Sequence, residues 1–519
     1  ASMYFKAGYE LCGWDEDPTT MQKLCSEGAC SCFVNGDYEQ MNVFLHEVLS
    51  KDFIPITQQN KCYEVKVQAA LGRGNVRESV DLALDYQRTL GLRAPRNKPV
   101  STIYIMKEYF KTTRLLKNLT PEDIKSLPDI KEDRIKIGQK NLSNLATSIY
   151  TVQPTLYPVI VMLMTRASIK HGIDASSCDS FAMFGTLCVA FGQMQRGREM
   201  GHASTLILEK FHAKEMKSRV IFLCEGMINH WSSPLQGTFA PLLGGYQSGL
   251  ESGNILSASL NLSYRVNHMF YSGRSLENLQ HELQTCVNVL GQLNQVHLKM
   301  GAIPYLLVVR KLRGVDVVEE EGMDFQAIIT VAKETKNKLL HAYPMIAQMT
   351  LFVIFQDWKA ASDILLEAGD ARASLTGLFC IVRFTFLEVL ICFKVAQFTN
   401  SWSSKRNWKS KGLKSMKFLR GWLKKGPNPN LVHTMHLLEA ELAVLQGKKT
   451  KAEEEFKRSI AVASKNGFLQ DKALAHDLAS KFFEAEGNDY WANYHMESSK
   501  QSYSEWGATA KVSHFPNIG

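Results

Sequence analysis

The sequence predicts an all-α fold, a helix-turn-helix superhelix (α-solenoid) of about two dozen helices. Two observations support this prediction. Turn glycines between apolar helical stripes recur along the chain, and the alternating apolar and polar runs typical of β-strands are nearly absent. The chain has 519 residues, more than one hydrophobic core usually serves, so its core must be divided among domains or extended by repeats.

The clearest repeat lies near the C-terminus. Gly447 is followed five residues later by Ala452 and nine residues later by Phe456, and Gly487 with Ala492 repeats this spacing forty residues on. A glycine in the left-handed conformation ends the first helix, and the small residue lets the second helix approach closely. Because one helix pair cannot bury its own apolar face, we expect copies of the pair to stack.

Weaker copies of the same unit occur elsewhere. Near the N-terminus, Gly36 and Gly74 are turn glycines 38 residues apart, a period typical of helix-turn-helix arrays. In the centre, Gly253 is followed by Ala258, and Gln356 takes the glycine position of a degenerate copy. These units predict that helical repeats extend over most of the chain.

Breaks in the helical pattern separate several blocks. They contain prolines and fall at 93–102, 127–134, 232–245 and 424–430. Five segments are predicted: N-terminal helical repeats (1–95), a central helical block (96–245), a second helical repeat block (246–400), a basic amphipathic helix and linker (401–430), and C-terminal repeats (431–519).

The net charge of +9 comes from one segment. It has no acidic residue and nine basic ones, and the remaining 51 bases of the chain balance its 51 acids. The nine are Lys405, Arg406, Lys409, Lys411, Lys414, Lys417, Arg420, Lys424 and Lys425. The charge therefore does not indicate nucleic-acid binding by the chain as a whole.

This basic segment is predicted to form a helix from about Ser404 to Leu423, with Trp408, Met416 and Trp422 among its lysines. Such a pattern is typical of membrane-surface helices and of calmodulin-target-like peptides. The alternative is a repeat helix whose aromatic residues pack on its neighbours and whose lysines are solvated. Under the first interpretation, the residues that bind an anionic partner are Lys405, Arg406, Lys409, Lys414, Lys417, Arg420 and Lys424.

Eleven cysteines, an odd number, are scattered through apolar helical contexts, which favours free thiols in the cytoplasm. The chain opens without a signal peptide and as though inside a helix, so we expect a segment of a longer polypeptide. The apolar run 156–164 is too short to span a bilayer, and the run 375–393 carries Arg383 and Glu388. The second run is therefore predicted to be a fully buried helix, and no transmembrane segment is predicted.

Several strings go beyond generic repeats. They are GACSCFVNGD (28–37), RTLGLRAP (88–95), INHWSSPL (228–235), GGYQSGLESGN (244–254), YSGRSL (271–276) and WGATAKVSHF (506–515). In the order and spacing of these strings, the chain resembles the long helical segment of large multidomain signalling ATPases. In those proteins, a protein-kinase-like domain and a P-loop ATPase module precede the segment, and GAF and histidine-kinase domains often follow it. The resemblance implies a tetratricopeptide-like superhelix that acts on an attached ATPase or kinase module.

No catalytic or cofactor site is predicted in this segment. The phosphate-binding string G-x-x-x-x-G-K-[ST] does not occur in the sequence, and no histidines have the spacing of a helical metal site. Asn229, His230 and Trp231 are candidates for a ligand contact, although such clusters more often lie in a core.

The predicted function is a non-catalytic module that binds a peptide or a neighbouring domain on its concave surface, with no cofactor, metal or nucleic acid. The expected partner is a protein or peptide, including the ATPase or kinase domains of the same polypeptide. Two alternatives stay open: an enzyme with a site built from dispersed residues, and recruitment to a membrane surface through the helix at 405–425. The sequence does not specify an oligomeric state.

Overall fold

The computed structural model describes residues 1–92, 95–315, 322–426 and 428–515. These residues form twenty-six α-helices and no strand longer than an isolated bridge, such as that between Asp129 and Ile173. Many consecutive helices pack against each other, and several also contact the next helix but one, as expected when helix pairs stack. The all-α prediction is confirmed.

Residue contacts divide the chain into two compact units. Unit 1 comprises Ala1–Phe184 and His202–Met216, and unit 2 comprises Gly185–Gly201 and the described residues from Lys217 onward. Helices α10 (Ser177–Ala190), α11 (Met194–Lys210) and α12 (Lys214–Leu223) contribute residues to both. The five segments predicted from the sequence are finer than this division and stay a prediction.

Unit 1 consists mainly of helices of five to twenty residues. They are α1 (Ser2–Leu11), α2 (Pro18–Val34), α3 (Tyr38–Leu49), α4 (Asn60–Gly72), α5 (Val76–Thr89), α6 (Thr102–Leu116), α7 (Pro121–Lys125), α8 (Asp133–Val152) and α9 (Tyr157–His171). Arg93 and Ala94, which belong to a predicted loop and to one of the family-like strings, lie outside the described residues.

After the helices that contribute to both units, unit 2 continues with a π-helix at Cys224–Ile228 and two short 3₁₀ helices, and its remaining α-helices follow. They are α13 (Phe239–Glu251), α14 (Ile255–Tyr271), α15 (Leu276–Gln292), α16 (Val296–Arg313), α17 (Phe325–Glu334), α18 (Lys338–Ile354), α19 (Trp358–Ala368), α20 (Cys380–Phe398), α21 (Trp402–Lys424), α22 (Val432–Leu445), α23 (Lys449–Lys465), α24 (Leu469–Ala485), α25 (Asp489–Trp506) and α26 (Thr509–Val512).

One of the loops predicted from the sequence is shorter in the structure. The loop predicted over 232–245 ends at residue 238, because α13 already begins at Phe239. Pro241 lies in the first turn of α13, where its missing N–H leaves no intrahelical hydrogen bond unmade. The proline therefore belongs to a helix start and not to a loop.

A two-residue signal recurs at the turns between paired helices. A residue with positive φ is followed by an aspartate or asparagine whose side chain accepts a hydrogen bond from the third backbone N–H of the next helix. The pairs are Gly36–Asp37, Gly74–Asn75, Gly253–Asn254, Lys336–Asn337, Gln356–Asp357 and Gly487–Asn488. At these six junctions, one residue with positive φ and one N-cap thus join two consecutive helices.

Helix α20 is the centre of unit 2. Sixteen of its nineteen residues are buried, as predicted for the apolar run that carries Arg383 and Glu388. The last helix pairs also contact helices that come much earlier in the chain. Gln470 donates to the carbonyl of Tyr271 at 2.8 Å, and Trp506 donates to the carbonyl of Arg274 at 2.9 Å. Repeats about 200 residues apart in sequence therefore share one core.

Candidate functional site

Helix α21 carries the basic segment and is slightly longer than predicted. The hydroxyl of Ser401 caps its first turn by accepting from the backbone N–H of Ser404 at 3.4 Å. Gly412 lies against α20, where an added Cβ would come 2.6 Å from the ring of Phe393. A glycine at this position therefore lets α21 approach the buried helix closely.

The apolar side of α21 faces the core. Met416 and Leu419 have no exposed surface, and the indole of Trp422 packs edge-to-face on Trp231 with ring centroids 5.4 Å apart. Trp408 is half-buried against the same core, and Trp402 at the start of the helix remains 73% exposed. The side of the helix that could enter a bilayer is thus mostly covered by protein.

Outside its buried side, α21 carries cations and no carboxylate. Of the nine basic residues, Arg420 forms an ion pair with Glu439 at 2.5 Å. The other eight form no ion pair with any residue in the part of the chain that the structure describes, and we call them the basic face. They are Lys405, Arg406, Lys409, Lys411, Lys414, Lys417, Lys424 and Lys425; all are exposed except Lys409 and Lys411, which are half-buried.

Two of these cations lie over rings of their own helix. Arg406 is 5.5 Å from the ring centroid of Trp402, and Lys411 is 5.5 Å from that of Trp408. A helix of 23 residues extends over about 34 Å at 1.5 Å per residue. Because charges in water are screened over about 10 Å at 0.1 M salt, each cation acts mainly on a partner that is in contact with it.

An open cleft lies beside the basic face. It has a volume of about 430 Å³ and is bounded by Lys411 and Lys414 on one side and by the loop before α20 on the other. Arg372 in that loop donates to Glu388 at 2.5 Å and to Ser415 at 3.2 Å, so its guanidinium is held by the fold. The lysines are therefore the groups that can bind a carboxylate or phosphate there.

The predicted turn and packing residues lie at helix junctions spread over both units. Their φ angles lie between +69° and +77°, and at none of them would an added Cβ meet another atom within 4 Å. These glycines are Gly36, Gly74, Gly253, Gly447 and Gly487. The residues predicted to sit between paired helices are buried: Ala258, Ala452, Phe456 and Ala492. The structure does not bring these nine residues together into a site.

His230 and Trp231 lie in the core of unit 2. The Trp231 indole donates to the Gly377 carbonyl at 3.4 Å, and the His230 ring packs edge-on against His268 with centroids 5.4 Å apart. Burial lowers the pKa of His230 to about 3, with a smaller opposing effect from the backbone of Glu225. A ligand could reach this pair only if the core opened.

Buried ion pairs are the polar feature that sequence reasoning missed. Lys394 of α20 donates to both oxygens of Glu441 at 3.1 Å, and Lys511 lies 2.9 Å from Asp477. The partners are distant in sequence, and no local pattern marks them. In the described residues, no three or more His, Cys, Asp or Glu side chains are grouped so that they could hold a metal ion.

None of the eleven cysteines, all of which lie in the described residues, forms a disulfide bond, and nine of them are buried. Burial raises the pKa of Cys286, Cys380 and Cys392 to about 12, so these thiols are protonated at neutral pH. Within the described residues, none of the helices has both the length and the apolar character needed to cross a membrane.

Comparison with known proteins does not place the chain in a family. No protein-family model matches the sequence, and no curated protein matches it significantly. One similar solved structure is described as a circular tandem repeat protein with novel repeat topology and enhanced subunit contact surfaces. It is 11% identical, the match covers 99% of this chain and 98% of that one, and the TM-score is 0.16. At that score the two backbones do not superpose, so the match adds nothing to the account of fold or function.

Proposed function

We propose that this chain is a non-catalytic helical-repeat interaction module and that the basic face of α21 binds an acidic segment of a protein partner. The observation that carries the proposal is the set of eight cations without ion pairs that lie along α21 and at its C-cap, while the apolar side of the helix is anchored in the core. Surface lysines that serve only solubility are usually interspersed with acids, and this helix has none.

A protein partner is favoured over a membrane because α21 keeps few apolar groups for lipid. Among its apolar side chains, Met416 and Leu419 are buried, and the half-exposed ring of Phe418 lies 4.6 Å from the guanidinium of Arg372. Membrane-surface helices need an exposed apolar face in addition to their charge. Nucleic acid is less favoured because outside this helix the bases and acids balance.

The interior of unit 2 is filled by α20, so we place the binding surface on the outside of this unit and not on a concave inner face. The resemblance to large signalling ATPases makes an acidic segment of an attached ATPase or kinase domain the partner that we propose. Eleven cysteines without a disulfide bond favour a reducing compartment, and we propose the cytoplasm.

The first experiment compares three anionic probes on the purified chain: a fluorescein-labelled poly-glutamate peptide, phosphatidylserine vesicles and single-stranded RNA. We expect the peptide to bind, and its affinity to fall steeply between low and physiological salt because exposed charges are screened. No peptide binding at low salt would contradict the proposal. Tighter binding to vesicles or RNA than to the peptide would contradict a protein partner and would indicate a membrane or a nucleic acid instead.

A second experiment addresses catalysis. We expect the purified chain neither to hydrolyse ATP nor to phosphorylate itself, because phosphoryl transfer needs a phosphate-binding loop and carboxylates that position Mg²⁺, and the sequence contains no such loop. ATP turnover by the purified chain would favour the alternative of an enzyme with a dispersed site.

A further inference from the structure

Unit 1 contains a pocket that the basic face does not use. It lies among α4, α5 and α8 and has a volume of about 190 Å³. Pockets for drug-sized ligands and cofactors typically have volumes of about 300–1,000 Å³. This pocket is therefore too small for a nucleotide but large enough for one amino-acid side chain.

The floor of the pocket is apolar. The ring of Tyr86 is buried and stacks on that of Tyr63, with centroids 3.9 Å apart and planes inclined by 15°. The Tyr86 hydroxyl donates to the carbonyl of Ile56 at 3.1 Å, so its polar atom is already bonded. Val67 and Leu145 add buried aliphatic surface. Such a floor favours an apolar side chain over a polar one.

The rim is polar but carries no net charge, since it combines Glu64 with Lys140. The Glu64 carboxylate accepts from the Asn60 amide at 2.9 Å, and Asn60 in turn accepts from Asn141 at 3.0 Å, which fixes this side of the rim. Gln68 and Asn144 are exposed, and their side chains form no hydrogen bond with other described residues.

We propose that this pocket binds a single apolar side chain of an extended, uncharged segment of a partner protein, with the amides of Gln68 and Asn144 bonding to the backbone of that segment. An amide side chain offers both donors and an acceptor, which matches the alternating C=O and N–H groups of an extended peptide. The neutral rim distinguishes this occupant from the acidic segment proposed for α21. The inference adds a second surface to the proposed interaction function and does not depend on the basic face.

Saturation-transfer NMR on the full chain tests the pocket with three probes: N-acetyl-leucinamide, N-acetyl-phenylalaninamide and N-acetyl-glycinamide. We expect transfer to the side chains of the first two and none to the glycine probe, which lacks an anchor. Ala83→Leu places bulk in the pocket and should abolish the transfer. Asn144→Ala, at an exposed position that leaves the core untouched, should weaken binding about fivefold, as expected for loss of one hydrogen bond.

Thr147→Ala, an exposed polar position on the same helix outside the pocket, is the matched control and should leave binding unchanged. No transfer to the leucine or phenylalanine probe would overturn the proposal, as would transfer that persists in Ala83→Leu. Tighter binding of free leucine than of N-acetyl-leucinamide would identify a free amino acid as the occupant and overturn the peptide assignment. Neutralising the basic face should not alter these signals, so the two proposals fail separately.

Discussion

Arg383 of α20 and Asp471 of α24 form a fully buried ion pair in which one guanidinium nitrogen lies 2.9 and 2.8 Å from the two carboxylate oxygens. His433 of α22 lies 2.9 Å from the same carboxylate through its Nε2 atom. Burial by itself raises the pKa of Asp471, but the charge of Arg383 and the hydrogen bond from His433 outweigh it and hold that pKa below its ordinary value. Three helices of unit 2 thus meet at one carboxylate.

Removal of one partner of this pair should be costly. Arg383→Met leaves the Asp471 carboxylate buried without its cation, and we expect the free energy of unfolding to fall by about 3–5 kcal/mol. The double variant Arg383→Met with Asp471→Leu removes both charges and should recover most of that loss. Urea denaturation followed by circular dichroism measures both. If Arg383→Met is as stable as the double variant, the unpaired Asp471 carboxylate carries no energetic penalty and the prediction is wrong.

Stability should also fall as the pH drops below about 6.5. Burial lowers the pKa of His476 to about 3 and that of His495 to about 4, with their Nδ1 atoms 2.9 Å apart. The folded state therefore favours the neutral rings, and the unfolded chain binds more protons between about pH 6.5 and about pH 4. In the His476→Gln variant, the melting temperature should therefore change less with pH in that window. Exposed His281→Gln is the control, and an equal effect of both would contradict this assignment.

At still lower pH, protonation of the Asp471 carboxylate should lower the stability of the folded state further. Because its pKa is lowered in the folded state, its stabilising contribution is present above its unfolded pKa and disappears as the pH falls through the folded value. Asp471→Asn should remove this acid-side component. If the variant and the parent lose stability in parallel below about pH 4, the ion pair is not what titrates there.

The turn glycines give a prediction with an internal control. Gly487 has a φ of +71° and nothing near the site of an added Cβ, so Gly487→Ala should cost about 1 kcal/mol from backbone strain alone. Gly421 also has open space around it but lies within helix α21 without a positive φ, and Gly421→Ala should stabilise by about 0.5–1 kcal/mol. Melting temperatures that shift in the same direction for both would refute the assignment of Gly487 as a helix-ending turn.

The sequence was informative where the determinants are local. Gly447 and Gly487 marked helix ends because a positive φ favours one residue type, and the missed part of the signal was the Asp or Asn that follows, as in Gly487–Asn488. Even Gln356, with a φ of +58°, occupies the position that the repeat spacing assigned to it.

What the sequence could not provide depends on residues far apart. Arg383 and Asp471 are 88 positions apart, and Gln470 and Tyr271 are 199 apart, so no spacing rule could join them. The Tyr86 pocket was missed for the same reason, since it combines α5 with α4 and α8. The basic face was visible in the composition, whereas its separation from the buried side of α21 required the helix to be placed on α20.

The most direct measurement compares two variants with equal charge changes. Lys409, Lys414, Lys417 and Lys424 of the basic face are replaced by glutamine in one, and the exposed, unpaired residues Lys338, Lys448, Lys457 and Lys465 of unit 2 in the other. Exposed ion pairs contribute about 0.2–1 kcal/mol each, so the loss of four should lower the affinity for poly-glutamate at least about fourfold in the first variant. We expect the second variant to bind nearly as well as the parent chain. Equal affinities of the two variants would contradict an acidic-partner site on α21.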